Sequence, residues 1–140
     1  MNSCLIAEKQ YEESQQGEFP RNFEFLGRNF VLHKGVFSPE VFKSSSICVQ
    51  NLPIKQGDSV LDMGSGTGVV GITLALDNKL SQVVCADINP KAVKNTRENV
   101  ELHKLQDKVR VLRSSGFSNI NIDESFDWYT EFNRNLINGS

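Results

Sequence analysis

Cysteine and histidine are scarce in this sequence, and their spacing excludes the usual sites built from them. The three cysteines, Cys4, Cys48 and Cys85, form no C-x-x-C pair, and their number is odd. We therefore expect no disulfide framework, no zinc site and no other metal centre. Cys85 lies in an apolar run, where a free thiol usually packs as a small hydrophobe. The two histidines, His33 and His103, are far apart, and we interpret both as structural or surface residues.

Long apolar runs and an excess of basic charge are also absent. No stretch approaches the roughly 20 apolar residues of a membrane-spanning helix, and the amino terminus does not resemble a signal peptide. The net charge of −2 lacks the basic excess of most nucleic-acid-binding domains, although a local patch could still bind RNA. With 140 residues, of which 39% are hydrophobic, a single cytoplasmic domain is expected.

What the sequence does contain is an alternation of strand and helix patterns. It predicts strands at 59–63, 82–87 and 109–112, a fourth strand starting within 126–129, and helices at 69–76 and from Pro90 onwards, after the cap Asn89. In the second of these helices, Ala92, Val93, Thr96 and Val100 are expected to face inward. Such alternation gives right-handed crossovers and a parallel sheet. We therefore expect an α/β fold, a Rossmann-like doubly wound and mostly parallel sheet of about four strands.

Two elements are predicted before that sheet. F-E-F-L-G-R-N-F-V-L, residues 23–32, alternates apolar and polar residues on both sides of Gly27-Arg28, which predicts a β-hairpin with a tight turn. A helix over about 39–50 is indicated by Ser38 as its cap and Pro39 at its first position.

A glycine-rich segment follows the first strand of the predicted sheet. Residues 60–71 read V-L-D-M-G-S-G-T-G-V-V-G. Glycines between a parallel strand and a helix let the backbone come close to a ligand at the carboxyl end of the sheet. Residues 66–71 fit the G-x-G-x-x-G fingerprint of dinucleotide sites, a weak signal alone. Asp87 ends the next strand, where an acid binds ribose hydroxyls in any such nucleoside site.

Asp62 separates the two cofactor classes that this pattern allows. A dinucleotide presents pyrophosphate to the loop, and an aspartate two residues before Gly64 would repel it. S-adenosylmethionine instead carries a sulfonium and an α-amino group, which an acid attracts, directly or through water. A structural alternative is that Asp62 accepts hydrogen bonds from loop N–H groups.

These residues resemble a known family. V-L-D-M-G-S-G-T-G-V-V-G is similar to the first motif of class I S-adenosylmethionine-dependent methyltransferases, and A-D-I-N-P-K-A-V-K-N-T-R-E-N-V is similar to their second motif. With H-K-G-V-F-S-P upstream, residues 30–127 resemble the small-domain group, which includes methyltransferases of RNA guanine or adenine and of release-factor glutamine. The resemblance implies a cofactor-binding domain over 21–130, incomplete at its carboxyl end, between a polar arm or loosely held helix over 1–20 and a polar tail over 131–140.

The resemblance implies a role for each residue of the site. Its implied cofactor-binding set is Phe37, Asp62, Gly64, Ser65, Gly66, Gly68, Asp87, Ile88 and Ser115. The glycines would line the methionine part, Asp62 would hold its amino group and Asp87 the ribose, while Ile88 would flank the adenine. Ser115 stands where the family often has an acid that contacts the adenine amino group.

One family motif is missing, and this keeps other functions open. Where the family has N-P-P-[YF] to position the target nitrogen, this chain has F-D-W-Y-T-E-F-N. The expected activity is N-methylation of a nucleobase or a protein side chain; the alternatives are a non-catalytic scaffold module of the same fold and an NAD-binding oxidoreductase domain. A sheet that stopped after four strands, as in a truncated methyltransferase, would expose a strand edge, through which the chain could form a homodimer.

Overall fold

A parallel sheet forms the centre of the protein in a computed structural model, which describes residues 3–41, 43–121 and 123–131. In chain order the elements are α1 (Ser3–Ser14), β1 (Arg21–Phe25), β2 (Arg28–Leu32), α2 (Ser44–Asn51), β3 (Ser59–Met63), α3 (Val69–Asp77), β4 (Gln82–Asp87), α4 (Pro90–Leu102), β5 (Val109–Arg113) and β6 (Trp128–Glu131). In the part of the chain that the structure describes, no helix combines the length and apolar character needed to cross a membrane.

The expected fold class is confirmed. The four-stranded sheet has the order β5-β4-β3-β6, and every pair in it is parallel. Its centre is β3, where Asp62 lies beside Cys85 on one side and Thr130 on the other. The carboxyl ends of β3 and β4 therefore meet at one edge of the sheet, where Asp62 and Asp87 were predicted to bind a ligand.

The elements around the glycine segment agree closely with their predicted bounds. Strands β3 and β4 match residue for residue, while β6 begins at Trp128. Asn89 caps α4 by accepting a hydrogen bond from the Lys91 N–H at 3.0 Å, and Pro90 is its first residue. The four inward residues predicted for this helix are all buried.

The hairpin is confirmed, but its turn lies one residue earlier than predicted. Arg28 pairs with Phe25 and begins β2, so the two turn residues are Leu26 and Gly27, with φ of 47° and 82°. Two successive positive φ values give the mirror-image turn whose twist matches that of the flanking strands. The hairpin buries Phe30 completely in the main core.

The helix predicted over 39–50 is shorter than expected and begins at Ser44. Ser38 caps a separate turn instead of this helix: its Oγ accepts from the Glu40 N–H at 3.2 Å, and its carbonyl accepts from the Val41 N–H at 3.2 Å. Serine bonds of this local kind compete with helix formation, and here the turn is the outcome.

The first twenty residues were predicted to be a polar arm or a short, loosely held helix, and the structure has a helix in this region. Residues 3–14 form α1. Directly after it, the Gln15 amide accepts a hydrogen bond from the Gly35 N–H at 2.6 Å and donates one to the Val36 carbonyl at 3.0 Å. Helix α1 is thus attached to the segment between β2 and α2. Of the predicted tail over 131–140, Glu131 ends β6, and the rest lies outside the described residues.

The two faces of the sheet are covered differently. On the first, here called the helix face, Val60, Val83, Cys85 and Val109 pack in the main core with residues of α3, α4 and the hairpin. On the second, the loop face, Leu61, Met63, Val84 and Ala86 pack with Phe126, Leu112 and Ile120. The segment between β5 and β6 supplies the cover of the loop face, and Phe117 and Tyr129 are 61% and 54% exposed there.

Candidate cofactor-binding site

The glycine loop, residues 64–68, connects the carboxyl end of β3 to α3. The N–H groups of Gly64 and Ser65 both donate to the Ala86 carbonyl, at 2.7 and 3.0 Å. The Gly68 N–H donates to the Ser65 carbonyl at 2.8 Å and closes a tight turn. The loop is therefore fastened to the end of β4, next to Asp87.

The position that a side chain would occupy at Gly66 is nearly free of neighbouring atoms. Gly66 has φ of 59°, and a Cβ placed there would meet nothing nearer than Val36 Cγ1, at 4.0 Å. Packing therefore does not require a glycine at this position. The positive φ favours glycine, and the absence of a side chain leaves the loop accessible to a ligand.

Gly71 is required for a different reason, the close approach of α3 to the sheet. A Cβ at Gly71 would lie 2.5 Å from Cys85 Sγ and 3.4 Å from Asp62 Oδ2. Cys85 is completely buried, as predicted from its apolar run. This glycine lets the start of α3 sit directly over the carboxylate of Asp62.

The Asp62 carboxylate is 0% exposed and lies beneath the glycine loop. Its Oδ2 accepts from the Gly71 N–H at 3.2 Å, and its Oδ1 accepts from the Thr130 hydroxyl at 3.0 Å. Burial raises the pKa of Asp62 to about 6, against the two hydrogen bonds, which lower it, and the nearby charge of Asp87 raises it further. At neutral pH the group is mostly ionised, so a buried negative charge lies below the loop.

The Asp87 carboxylate binds two backbone N–H groups at the surface of the same site. Its Oδ2 accepts from the Gly66 N–H at 3.0 Å, and its Oδ1 accepts from the Asn89 N–H at 2.9 Å. An ionised carboxylate has about four lone-pair sites, so two further donors can bind. Asp87 thus fixes the loop and keeps acceptor capacity for hydroxyl groups.

The remaining predicted residues lie around this centre. Ile88 is 59% exposed, and its carbonyl accepts from Arg113 Nε at 3.0 Å. Ser115 is exposed and follows Ser114, whose N–H donates to the Asp87 carbonyl at 3.0 Å. Both are thus tied to the ends of β4 and β5.

Phe37 lies in the segment between β2 and α2. It follows Val36, the residue nearest to the open side of Gly66. Its ring packs against Tyr11 of α1 with a centroid distance of 4.7 Å. The structure thus brings Asp62, the loop and Asp87 into direct hydrogen-bond contact, with Phe37 at the periphery.

Three polar residues at this site were not predicted to contribute to it. Thr130 binds Asp62, the Thr96 hydroxyl donates to the Gly66 carbonyl at 2.8 Å, and the Asn99 amide donates to the Thr67 carbonyl at 2.8 Å. Thr96 was expected to face inward, but only as a packing residue. A usable signal was present: Asn99 and Thr96 are polar residues at positions of α4 where the helical period predicts apolar ones.

Fold and site together define a class of protein: an α/β domain with a glycine loop between two acids at the carboxyl end of its parallel sheet. No group of histidine, cysteine, aspartate and glutamate among the described residues could hold a metal ion. A family model, the methyltransferase small domain, matches residues 27–130. The chain therefore belongs to the small-domain family of methyltransferases.

Individual relatives agree with this assignment. The release factor glutamine methyltransferase of Fusobacterium nucleatum is 33% identical over 107 residues, which are 75% of this chain and 30% of that protein. The ribosomal protein L11 methyltransferase of Aquifex aeolicus is 37% identical over 93 residues, 65% of this chain and 36% of that protein. This chain thus spans about a third of the length of these relatives.

Solved structures agree on the fold. The tRNA m1G37 methyltransferase of M. jannaschii superposes with a TM-score of 0.64 at 21% identity, covering 81% of this chain and 35% of that chain. At this identity the likeness shows a shared fold, and it leaves the methyl acceptor of this protein open.

Proposed function

We propose that this chain is the S-adenosylmethionine-binding part of a methyltransferase that modifies nitrogen in a nucleobase or a protein side chain. The observation that carries the proposal is the pair of acids at the loop, since Asp62 lies buried below it and Asp87 binds the Gly66 N–H beside it. Family membership supports the reaction class, because the matched family consists of methyltransferases.

The residues present fit this cofactor. The open side of Gly66, where the nearest atom to an added Cβ is 4.0 Å away, gives room for the methionine part beside Gly64, Ser65 and Gly68. Asp87 retains lone pairs for two ribose hydroxyls. Exposed Ile88 offers an apolar surface to the adenine ring, with Ser115 as a polar neighbour. Phe37 follows Val36, the residue nearest to the open side of Gly66.

The charge of the site distinguishes a cationic ligand from a phosphate. Asp62 and Asp87 are close enough for the charge of Asp87 to raise the pKa of Asp62. A pyrophosphate on the loop would add a third negative group to this pair, in a place where burial weakens screening. An ammonium or sulfonium group would instead be attracted, which disfavours an NAD-binding role.

S-adenosylmethionine, when bound, supplies the electrophilic methyl group. The work of this chain is to bind and orient: Asp62 attracts the amino end from below, Asp87 fixes the ribose, and the loop excludes water from its buried side. Methyl transfer depends strongly on such positioning. The acceptor nitrogen has to be held by residues beyond this set.

Replacing Asp62 with asparagine tests the proposal. The amide retains hydrogen-bonding partners for Gly71 and Thr130, and it removes the charge. We expect the affinity for S-adenosylhomocysteine, measured by calorimetry, to fall about tenfold or more, while NAD binding stays absent. If NAD binds the wild type and binds Asp62→Asn more tightly, the site is a dinucleotide site. If neither ligand binds a folded sample, the scaffold alternative is correct.

A further inference from the structure

The face of α4 that points into the protein carries three polar side chains where apolar ones are usual. Asn95, Thr96 and Asn99 are each 0% exposed. Buried amides and hydroxyls are costly unless they are hydrogen-bonded. Each of the three has partners, and these partners are backbone groups of segments far away in the sequence.

Thr96 and Asn99 contact the glycine loop from below. The Thr96 hydroxyl donates to the Gly66 carbonyl at 2.8 Å and lies 3.1 Å from the Ser65 hydroxyl. The Asn99 amide donates to the Thr67 carbonyl at 2.8 Å. Two successive carbonyls of the loop are thus directed toward α4.

The direction of these carbonyls sets the direction of the adjacent N–H groups. In a planar trans peptide the C=O and the following N–H point in opposite directions. With the Gly66 carbonyl bound to Thr96, the Thr67 N–H points away from α4. Acceptors outside α4 hold two other loop N–H groups: Gly66 donates to the Asp87 carboxylate and Gly68 donates to the Ser65 carbonyl. The loop conformation therefore depends on α4 as well as on the acids.

Asn95 provides an internal comparison one turn earlier on the same helix. Its amide accepts from the His33 N–H at 2.9 Å and donates to the Val31 carbonyl at 2.7 Å. The Asn99 side chain also binds the backbone of Val31: it accepts from the Val31 N–H at 2.7 Å and donates to the Val31 carbonyl at 2.9 Å. The two asparagines therefore attach β2 to α4, but only Asn99 also binds the loop.

We infer that Thr96 and Asn99 are positioning residues for cofactor binding: they hold the glycine loop in its ligand-ready conformation, whereas Asn95 serves only the attachment of β2. The inference rests on the proposed function for the identity of the ligand, S-adenosylmethionine. Its structural part, control of the loop conformation by α4, does not require any ligand.

The test compares Thr96→Val, Thr96→Ser, Asn99→Ala and Asn95→Ala. Valine keeps the shape of threonine and removes the hydroxyl, and serine restores the hydroxyl. We expect Thr96→Val and Asn99→Ala to weaken binding of S-adenosylhomocysteine about tenfold, the value of one buried hydrogen bond. Thr96→Ser and Asn95→Ala should stay within about twofold of the wild type. Urea melts of all variants separate the loss of affinity from the loss of stability.

A second readout needs no ligand. The backbone amide NMR signals of Gly64, Gly66 and Gly68 in the free protein should shift in Thr96→Val and Asn99→Ala, and should stay in place in Asn95→Ala. If the wild type binds no S-adenosylhomocysteine but these shifts occur, the proposed function fails and the positioning role stands. If Thr96→Val binds as tightly as the wild type, or if its loop signals do not move, the positioning role is wrong.

Discussion

The helix face and the loop face of the same sheet differ in how completely the described residues cover them. On the helix face, β3 and β4 lie under α3, α4 and the hairpin, and Val60 and Cys85 are completely buried. On the loop face, the cover is the segment between β5 and β6, and the rings of Phe117 and Tyr129 meet at 6.3 Å while both remain largely exposed.

The difference indicates where the proposed function is concentrated. The candidate cofactor site lies between the helix face and the carboxyl ends of β3 and β4, and it is built from elements that pack on each other. The loop face is connected to the site mainly through the Ser114 N–H, which donates to the Asp87 carbonyl. Changes on the helix face should therefore alter binding and stability strongly, and changes on the loop face should alter mainly the association of the chain with other polypeptides.

The largest effect is expected from Gly71→Ala. The added methyl would lie 2.5 Å from Cys85 Sγ, and overpacking of this kind costs about 1–3 kcal/mol. Urea unfolding should show this loss in the free energy of unfolding. In the background Cys85→Ala the sulfur is gone, so the same substitution should cost much less. Additive losses in the double variant would mean that this contact does not determine the effect.

Asp87→Ala should produce the next largest change, this time in binding. The carboxylate binds the Gly66 and Asn89 N–H groups and is the proposed ribose ligand. Hydrogen bonds to charged groups are worth about 1.5–3 kcal/mol, so the affinity for S-adenosylhomocysteine should fall at least about tenfold. Asp107→Ala removes an exposed acid with the same charge and serves as the control. Equal effects of the two variants would exclude a specific role for Asp87.

The raised pKa of Asp62, about 6, predicts a pH dependence of both affinity and stability. Lowering the pH from about 7.5 to about 5 protonates the group, so the affinity for the ammonium end of S-adenosylhomocysteine should fall. Stability should change in the opposite direction, because the pKa of Asp62 is higher in the folded than in the unfolded protein. The stabilisation from its protonated form is fully present below about pH 4 and is lost as the pH rises through about 6.

The control for this prediction is Asp62→Asn, in which the group cannot titrate. Calorimetry should show a flatter pH profile for its affinity, and urea melts should show no decline in stability between about pH 4 and pH 6 from this group. An unchanged profile in both measurements would mean that Asp62 is not the titrating residue.

The smallest effect on stability is expected on the loop face. Strand β6 is an edge of the four-stranded sheet that the described residues form, and exposed edges pair with other strands. We predict that the isolated chain forms a homodimer through this edge. Tyr129→Lys should shift it toward the monomer in light scattering, with a stability loss of about 1 kcal/mol, because the Phe126 N–H loses its hydrogen bond to the Tyr129 hydroxyl. A wild type that is monomeric at all concentrations would contradict the prediction.

The sequence predicted the centre of the fold well for a physical reason. Strands β3 and β4 are short, mostly apolar runs that are followed closely by a glycine or by a helix cap, and such local patterns need no long-range information. The position of Asp62 and Asp87 at the carboxyl ends of those strands follows from strand direction alone. Their placement beside the glycine loop was therefore predictable.

What the sequence did not predict depends on partners that are distant along the chain. Thr96 binds a carbonyl of Gly66, 30 residues away, and Thr130 binds Asp62, 68 residues away. No local pattern encodes those pairs. The predicted start of α2 was wrong for a different reason. The hydroxyl of Ser38 closes a separate turn, and a capping serine looks the same in sequence whether a helix or a turn follows.

Calorimetric titration of the purified chain with S-adenosylhomocysteine, with NAD in parallel, tests the central claim most directly. We predict saturable one-to-one binding of S-adenosylhomocysteine that is lost in Asp87→Ala, and no binding of NAD. Binding of NAD, or binding of neither ligand by folded protein, would contradict the assignment of this site to S-adenosylmethionine.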